Sequence, residues 1–149
     1  MSFAADPRAA DAGGTIIRIV AGIATDALGH VLMVRKRGTS VFMLPGGKPA
    51  AGEAAIEALA REVTEEVGCT LERTSAVPLG RFRAPAANEP GHVVEAELFR
   101  VTLTGTPVPQ SEIEELRWLD PHAPGDLPLA ALARSVVLPR LHRQPKAAE

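Results

Sequence analysis

A glycine stands at each end of the most regular stretch of this chain, and between them a short helix fits best. Ile56, Leu59, Ala60, Val63 and Val67 recur at i, i+3, i+4, i+7 and i+11, the period of one helix face. Ala54, Ala55, Ala58 and Ala60 favour the helical state, and Gly68 can end it in a left-handed turn. Upstream, Leu44-Pro45-Gly46-Gly47-Lys48 stops a strand and turns the backbone tightly. Gly52-Glu53 then leads into the helix, whose positive end suits a carboxylate. The apolar face predicts packing against a sheet.

The charged edge of this helix carries Arg61, Glu62, Glu65 and Glu66. Glu62 and Glu66 are one helical turn apart and Glu65 lies between them, so all three are within reach of one another. Two like charges ~4 Å apart cost about 4 kcal/mol at an effective dielectric near 20. One outcome is a solvated face relieved by pairing Arg61 with Glu57 and Glu65 at i, i+4. The adjoining glycine loop favours another, a divalent cation shared by Glu62 and Glu66. Oxygen-only ligands select hard ions, so Mg²⁺ is expected, with Mn²⁺ as a substitute.

Gly47, five residues, Glu53, seven residues, then Arg61-Glu62-Val63-Thr64-Glu65-Glu66-Val67-Gly68 resembles the signature of the Nudix hydrolases, including its MutT-like members. Every fixed position matches. Cys69 stands where an aliphatic residue is usual, and a buried thiol behaves as a small hydrophobe. The resemblance implies an α/β fold, an α/β/α sandwich with a mixed central sheet. It also implies Mg²⁺-dependent hydrolysis of a nucleoside diphosphate linked to another group, by water and without a covalent nucleophile. Glu62 and Glu66 would then ligate the metal, with Glu65 a ligand or near neighbour and the Gly46 carbonyl a further one. Arg61 would orient Glu62, and Glu53 would tie the loop to the helix.

The rest of the chain supplies the sheet. Thr15 to Ala24 is β-branched and apolar, and the Asp26–Gly29 turn predicts a hairpin with a strand from His30 to Arg37. Val41 to Leu44, Ala76 to Ala84, His92 to Leu103 and Ile113 to Leu119 read as further strands, and Leu127 to Leu141 as a helix with Leu129, Leu132, Val136 and Val137 in the core. The folded unit is expected over residues 15–143, with tails at 1–14 and 144–149. Phe42, Phe82 and Phe99 are core candidates; one of them, or Trp118, could line a pocket.

Beyond the signature, three carboxylates compete to complete the site. By resemblance, Glu112, shortly before Trp118, is a metal ligand or catalytic base. Glu95 and Glu97 alternate on one strand face and are its rivals. Arg35, Arg37 and Lys48 could receive phosphate oxygens, and the backbone of Gly47 could approach the substrate.

A formal net charge of −2 with no basic stripe argues against stable nucleic-acid binding, though a free nucleotide needs only a few cations. One cysteine excludes an internal disulfide and fits a reducing cytoplasm, and no apolar run is long enough for a membrane span. The substrate stays open among three classes. A nucleoside triphosphate, or its oxidised form, is implied because the small size and compact signature resemble the nucleoside-triphosphate members of the family. ADP-ribose or a nucleotide sugar is implied by Pro85, whose place sixteen residues after Cys69 resembles the proline downstream of the signature in ADP-ribose-cleaving members of the family. A sensor that binds nucleotides without turnover is the third, although such domains usually lose a signature glutamate. The family often forms homodimers, but no interface is legible here.

Overall fold

A computed structural model describes residues 15–142; the two expected tails lie outside them. In chain order the elements are β1 (Thr15–Ala24), β2 (Val31–Lys36), β3 (Phe42–Met43), β4 (Gly46–Gly47), α1 (Ala55–Val67), β5 (Thr70–Leu71), β6 (Val77–Pro85), β7 (His92–Val101), β8 (Leu103–Thr104), β9 (Ile113–Leu119) and α2 (Leu138–His142). A mixed sheet has the order β4-β1-β7-β6, with β1 and β7 parallel. A second, antiparallel sheet has the order β3-β2-β9, and β5 pairs with β8.

The period of two along β1 and β2 explains the layers. Val20 and Ala24 of β1 join Leu32 and Val34 of β2 in one core, against Leu59, Val63 and Val67 of α1. Ala21, Ile23, Val31 and Met33 face the other way, onto Leu132, Val136, Val137 and Leu141 of the C-terminal helical segment. The result is a helix on each side of a mixed sheet, the α/β/α arrangement implied by the signature. Phe42, Phe82 and Phe99 are all buried in these cores.

Four details depart from the sequence expectations. β1 and β2 do not form a hairpin ladder. They share the isolated bridge Thr25–Val31 and then diverge into separate sheets. Both edges of β1 are already taken, one by ten residues of β7 and the other by β4, where Gly22 N–H also donates to the Pro45 carbonyl. The glycine pair is itself a strand, too short to leave a period in the sequence. The long strand from His92 stops at Val101, because Leu103–Thr104 turns to pair with β5. The last helical segment starts at residue 131 instead of Leu127, since the backbone of Pro128 and Ala130 bonds to both sides of Phe42. It opens with a π-helical stretch, Leu132–Val137, and then continues as α2. No helix among the described residues is long and apolar enough to cross a membrane.

Candidate functional site

The glycine pair brings backbone against two carboxylates of α1. Gly46 has φ 153°, and a β-carbon there would strike the Val20 carbonyl and the Ala21 Cα. A β-carbon on Gly47 would overlap the Glu62 carboxylate, which lies directly over it. Gly46 N–H donates to Glu66 Oε1 at 3.2 Å. Glu66 is only 3% exposed, the one charged side chain buried to that degree among the described residues. Burial, reinforced by the negative charge of Glu62, pushes its carboxyl up to about 8. Burial also raises Glu62, with Arg61 pulling it back and Glu65 adding to the rise. Glu112 contributes repulsion to both carboxylates.

Arg61 staples the loop to the helix. Its Nε and Nη2 fork onto the two oxygens of Glu53 at 3.0 and 2.9 Å, and Nη2 also donates to the Lys48 carbonyl at 3.3 Å. Glu53 further accepts the Ala50 N–H at 2.8 Å. The Arg61 fork, helped by that amide, holds the Glu53 carboxyl down at about 2. Arg61 Nη1 reaches Glu62 and Glu65, each at 3.4 Å. Glu65 is half-exposed and turned to this guanidinium. Glu57 pairs at 2.7 Å with Arg73 instead of with Arg61, since the chain after α1 brings Arg73 alongside.

Beside the glycine strand lies a cleft of about 530 Å³. Its polar lining includes Lys36, Arg37, Lys48, Glu62 and Glu112, with Asn88 and Glu89 from the β6–β7 connection. Its aliphatic lining includes Ile17, Ile19 and Val94 from the mixed sheet and Leu132 and Ala133 from the π-helical stretch. Glu112 is held from two sides. Val108 and Gln110 N–H donate to the Val67 and Glu66 carbonyls at the end of α1, and Arg37 N–H donates to the Glu112 carbonyl at 2.8 Å. Between them Ser111 adopts a left-handed backbone, φ 57°, which a side chain rarely takes without a surrounding that enforces it.

The rival carboxylates are placed elsewhere. Glu95 lies between Arg83 at 3.0 Å and Arg18 at 3.2 Å, which hold its carboxyl below the usual range, and Glu97 sits 3.6 Å from Arg81. Both line a separate depression with Arg18 and Pro49. Arg35, expected at the phosphates, places its guanidinium on Glu115 at 3.2 Å and on the Thr39 carbonyl at 2.8 Å, over the Phe42 ring. Trp118 is 38% exposed on β9. Lys36, which is not among the sequence candidates, lies by alternation on the same face of β2 as Leu32 and Val34, the face that meets α1. Among the described residues no three acidic, histidine or cysteine side chains already close into a ligand set. Glu62 and Glu66 form a pair that a third oxygen would have to complete.

The two glycines should respond differently to a methyl group. In Gly47→Ala the obstacle is the far end of the Glu62 side chain, which can swing away. Its unfolding free energy should therefore change by less than about 1 kcal/mol, while displacement of Glu62 lowers turnover roughly tenfold or more. A denaturant titration run beside an activity assay checks both halves.

A model of the NUDIX domain matches residues 16–141. A Bacillus subtilis (strain 168) protein, provisionally named an 8-oxo-dGTP diphosphatase, is 31% identical over 102 residues, which cover 67% of this chain and 62% of that protein. The crystal structure of a Chromobacterium violaceum protein, provisionally named a nudix hydrolase family member, is similar with 27% identity and a TM-score of 0.64, covering 89% of this chain and 82% of that one. A MutT protein from Methanosarcina mazei Go1 shares the fold, with 22% identity and a TM-score of 0.70 over 87% of this chain and 95% of its own.

Proposed function

Because this chain belongs to the NUDIX domain family, we propose that it hydrolyses a phosphoanhydride bond of a nucleoside triphosphate or its oxidised form, releasing the nucleoside monophosphate and pyrophosphate. The supporting observation is the cleft beside the glycine strand, whose volume suits a small-molecule ligand. Its lysines and arginine suit a polyphosphate, and its aliphatic side chains suit a base and sugar. The name of the Bacillus subtilis relative points to the same substrate class.

The donor set fits a hard divalent cation. Glu66 is a buried carboxylate whose charge is disfavoured by burial and by Glu62, and a cation between the two would reverse both effects. Mg²⁺ (or Mn²⁺ in its place), when bound, supplies charge to the diphosphate and acidifies the attacking water. Glu62 and Glu66 would hold the ion with the Gly46 carbonyl, and Glu65, turned to Arg61, would stand further out. Arg61 restrains Glu62 while its fork on Glu53 keeps the Lys48 loop against α1. Glu112 would take the proton of the water that adds to phosphorus. Lys48 and Arg37, which both line the cleft, would receive phosphate oxygens, and the backbone of Gly47 would approach the same group.

One observation favours a second reading. Pro85 lines the cleft, so the proline that suggests ADP-ribose does face the substrate space. A panel of dNTPs, 8-oxo-dGTP, ADP-ribose, nucleotide sugars and dinucleoside polyphosphates with Mg²⁺ separates the readings. Pyrophosphate with a nucleoside monophosphate is the expected product pair. AMP with ribose 5-phosphate would replace it by the second reading, and tight binding without turnover on any substrate would make the domain a sensor. The homodimer implied by the family is a separate question, for sedimentation.

A further inference from the structure

Resting on that proposed function, we propose that Lys36 is an exchangeable counter-ion: its ammonium serves Glu112 and Glu66 in the absence of a divalent cation and moves onto the substrate's phosphate oxygens once the cation binds. Three observations support this. Lys36 ends β2 on the face that packs against α1, opposite Ile113 of β9 and at a shift of the β2–β9 register. Its Nζ lies 3.5 Å from Glu112 Oε1, and its charge eases the burden on Glu66. It also lines the same cleft as Glu62, Glu112 and Gly46.

The neighbouring arginines are differently engaged. Arg35 is on Glu115, and Arg37 reaches Glu114 at 3.5 Å and the Ser111 carbonyl at 3.4 Å. Lys36 thus brings a positive charge to Glu112 and Glu66, two of three carboxylates that repel one another. A divalent cation would satisfy the same carboxylates more strongly and repel the ammonium. Lysine suits such an exchange, because a point charge on a flexible stem can change partners without a matching fork. The pair with Glu112 is open to water, so releasing it costs little.

The test uses the full chain without nucleotide and compares wild type with Lys36→Met, Lys36→Gln and Lys36→Arg. Binding of Mn²⁺ is followed by the loss of its free-ion EPR signal, and binding of inorganic pyrophosphate at saturating Mg²⁺ by calorimetry. Removing a competing cation should tighten Mn²⁺ about fivefold in Lys36→Met and Lys36→Gln, the scale of a partly screened charge. The same variants should bind pyrophosphate about tenfold more weakly, and Lys36→Arg should stay near wild type for the metal. These opposite signs separate the exchange from general damage, which would weaken both ligands. Equal or weaker Mn²⁺ binding in the two neutral variants overturns the proposal, as does unchanged pyrophosphate affinity. If wild type binds no Mn²⁺ at all, the metal reading of the site falls, and this proposal with it.

Discussion

Replacing Glu66 by glutamine should lower kcat by at least ~10²-fold, because a charge-stabilising cation contributes several kcal/mol to such a reaction. The same change should leave the metal-free protein as stable as wild type or more stable. Glutamine keeps an oxygen for the Gly46 N–H, matches the neutral carboxyl present below about 8, and never takes on the buried charge that would oppose Glu62 above it. The pH dependence follows with a definite sign. The folded carboxyl keeps its proton up to about 8, whereas the unfolded one releases it near 4.5. Between those values the folded state binds the extra proton, so this contribution is complete below the lower value and is lost as pH rises through the upper one. The slope is at most ~1.4 kcal/mol per pH unit for one proton. Glu66→Gln should remove most of it, leaving the part due to Glu62, which is raised in the same direction. Urea titrations in chelator from about pH 5 to about pH 8 measure this. A clearly lower melting temperature for the variant would give Glu66 a structural task instead, and undiminished turnover would remove it from the reaction.

Gly46→Ala should be the most damaging single change in the loop, costing roughly 2–4 kcal/mol of stability. The φ of 153° is foreign to a residue with a side chain, and the obstacles to a β-carbon are backbone atoms, the Val20 carbonyl and the Ala21 Cα at 2.8 Å. Neither can rotate away, since β4 is paired with β1 at those residues. The amide that meets Glu66 would shift with the strand, so activity should fall with stability. A denaturation midpoint equal to that of Gly47→Ala would show that the strand yields more easily than its pairing suggests.

The signature helix could be read from the sequence because its information is local. The apolar period, the alanines and Gly68 all belong to one segment, and Gly68 does close α1, with φ 70° and its N–H on the Thr64 carbonyl. The layer arrangement came with the signature's resemblance, because β1 is apolar on both faces and does not itself show which residues meet which helix. What was hidden depends on partners distant in the chain. Helix spacing groups Glu62, Glu65 and Glu66 on one edge, but it does not say that Arg61 draws Glu65 outward while Gly46 meets Glu66. Arg35 carries suitable chemistry for phosphate, yet the β2–β9 register sets Glu115 beside it. The same register brings Lys36 toward Glu112, which neither segment reveals alone. Strands of two residues, such as β4, β5 and β8, are too short to show alternation at all.

The amides of Val108 and Gln110 clasp the carbonyls that finish α1, and this has an effect on how the domain tolerates change. The connection leaving β8 reaches that clasp before it reaches Glu112, so its length and composition are uncoupled from where the acidic group sits. Surface variation can accumulate in that crossing while the spacing between Glu112 and the helix carboxylates stays constant.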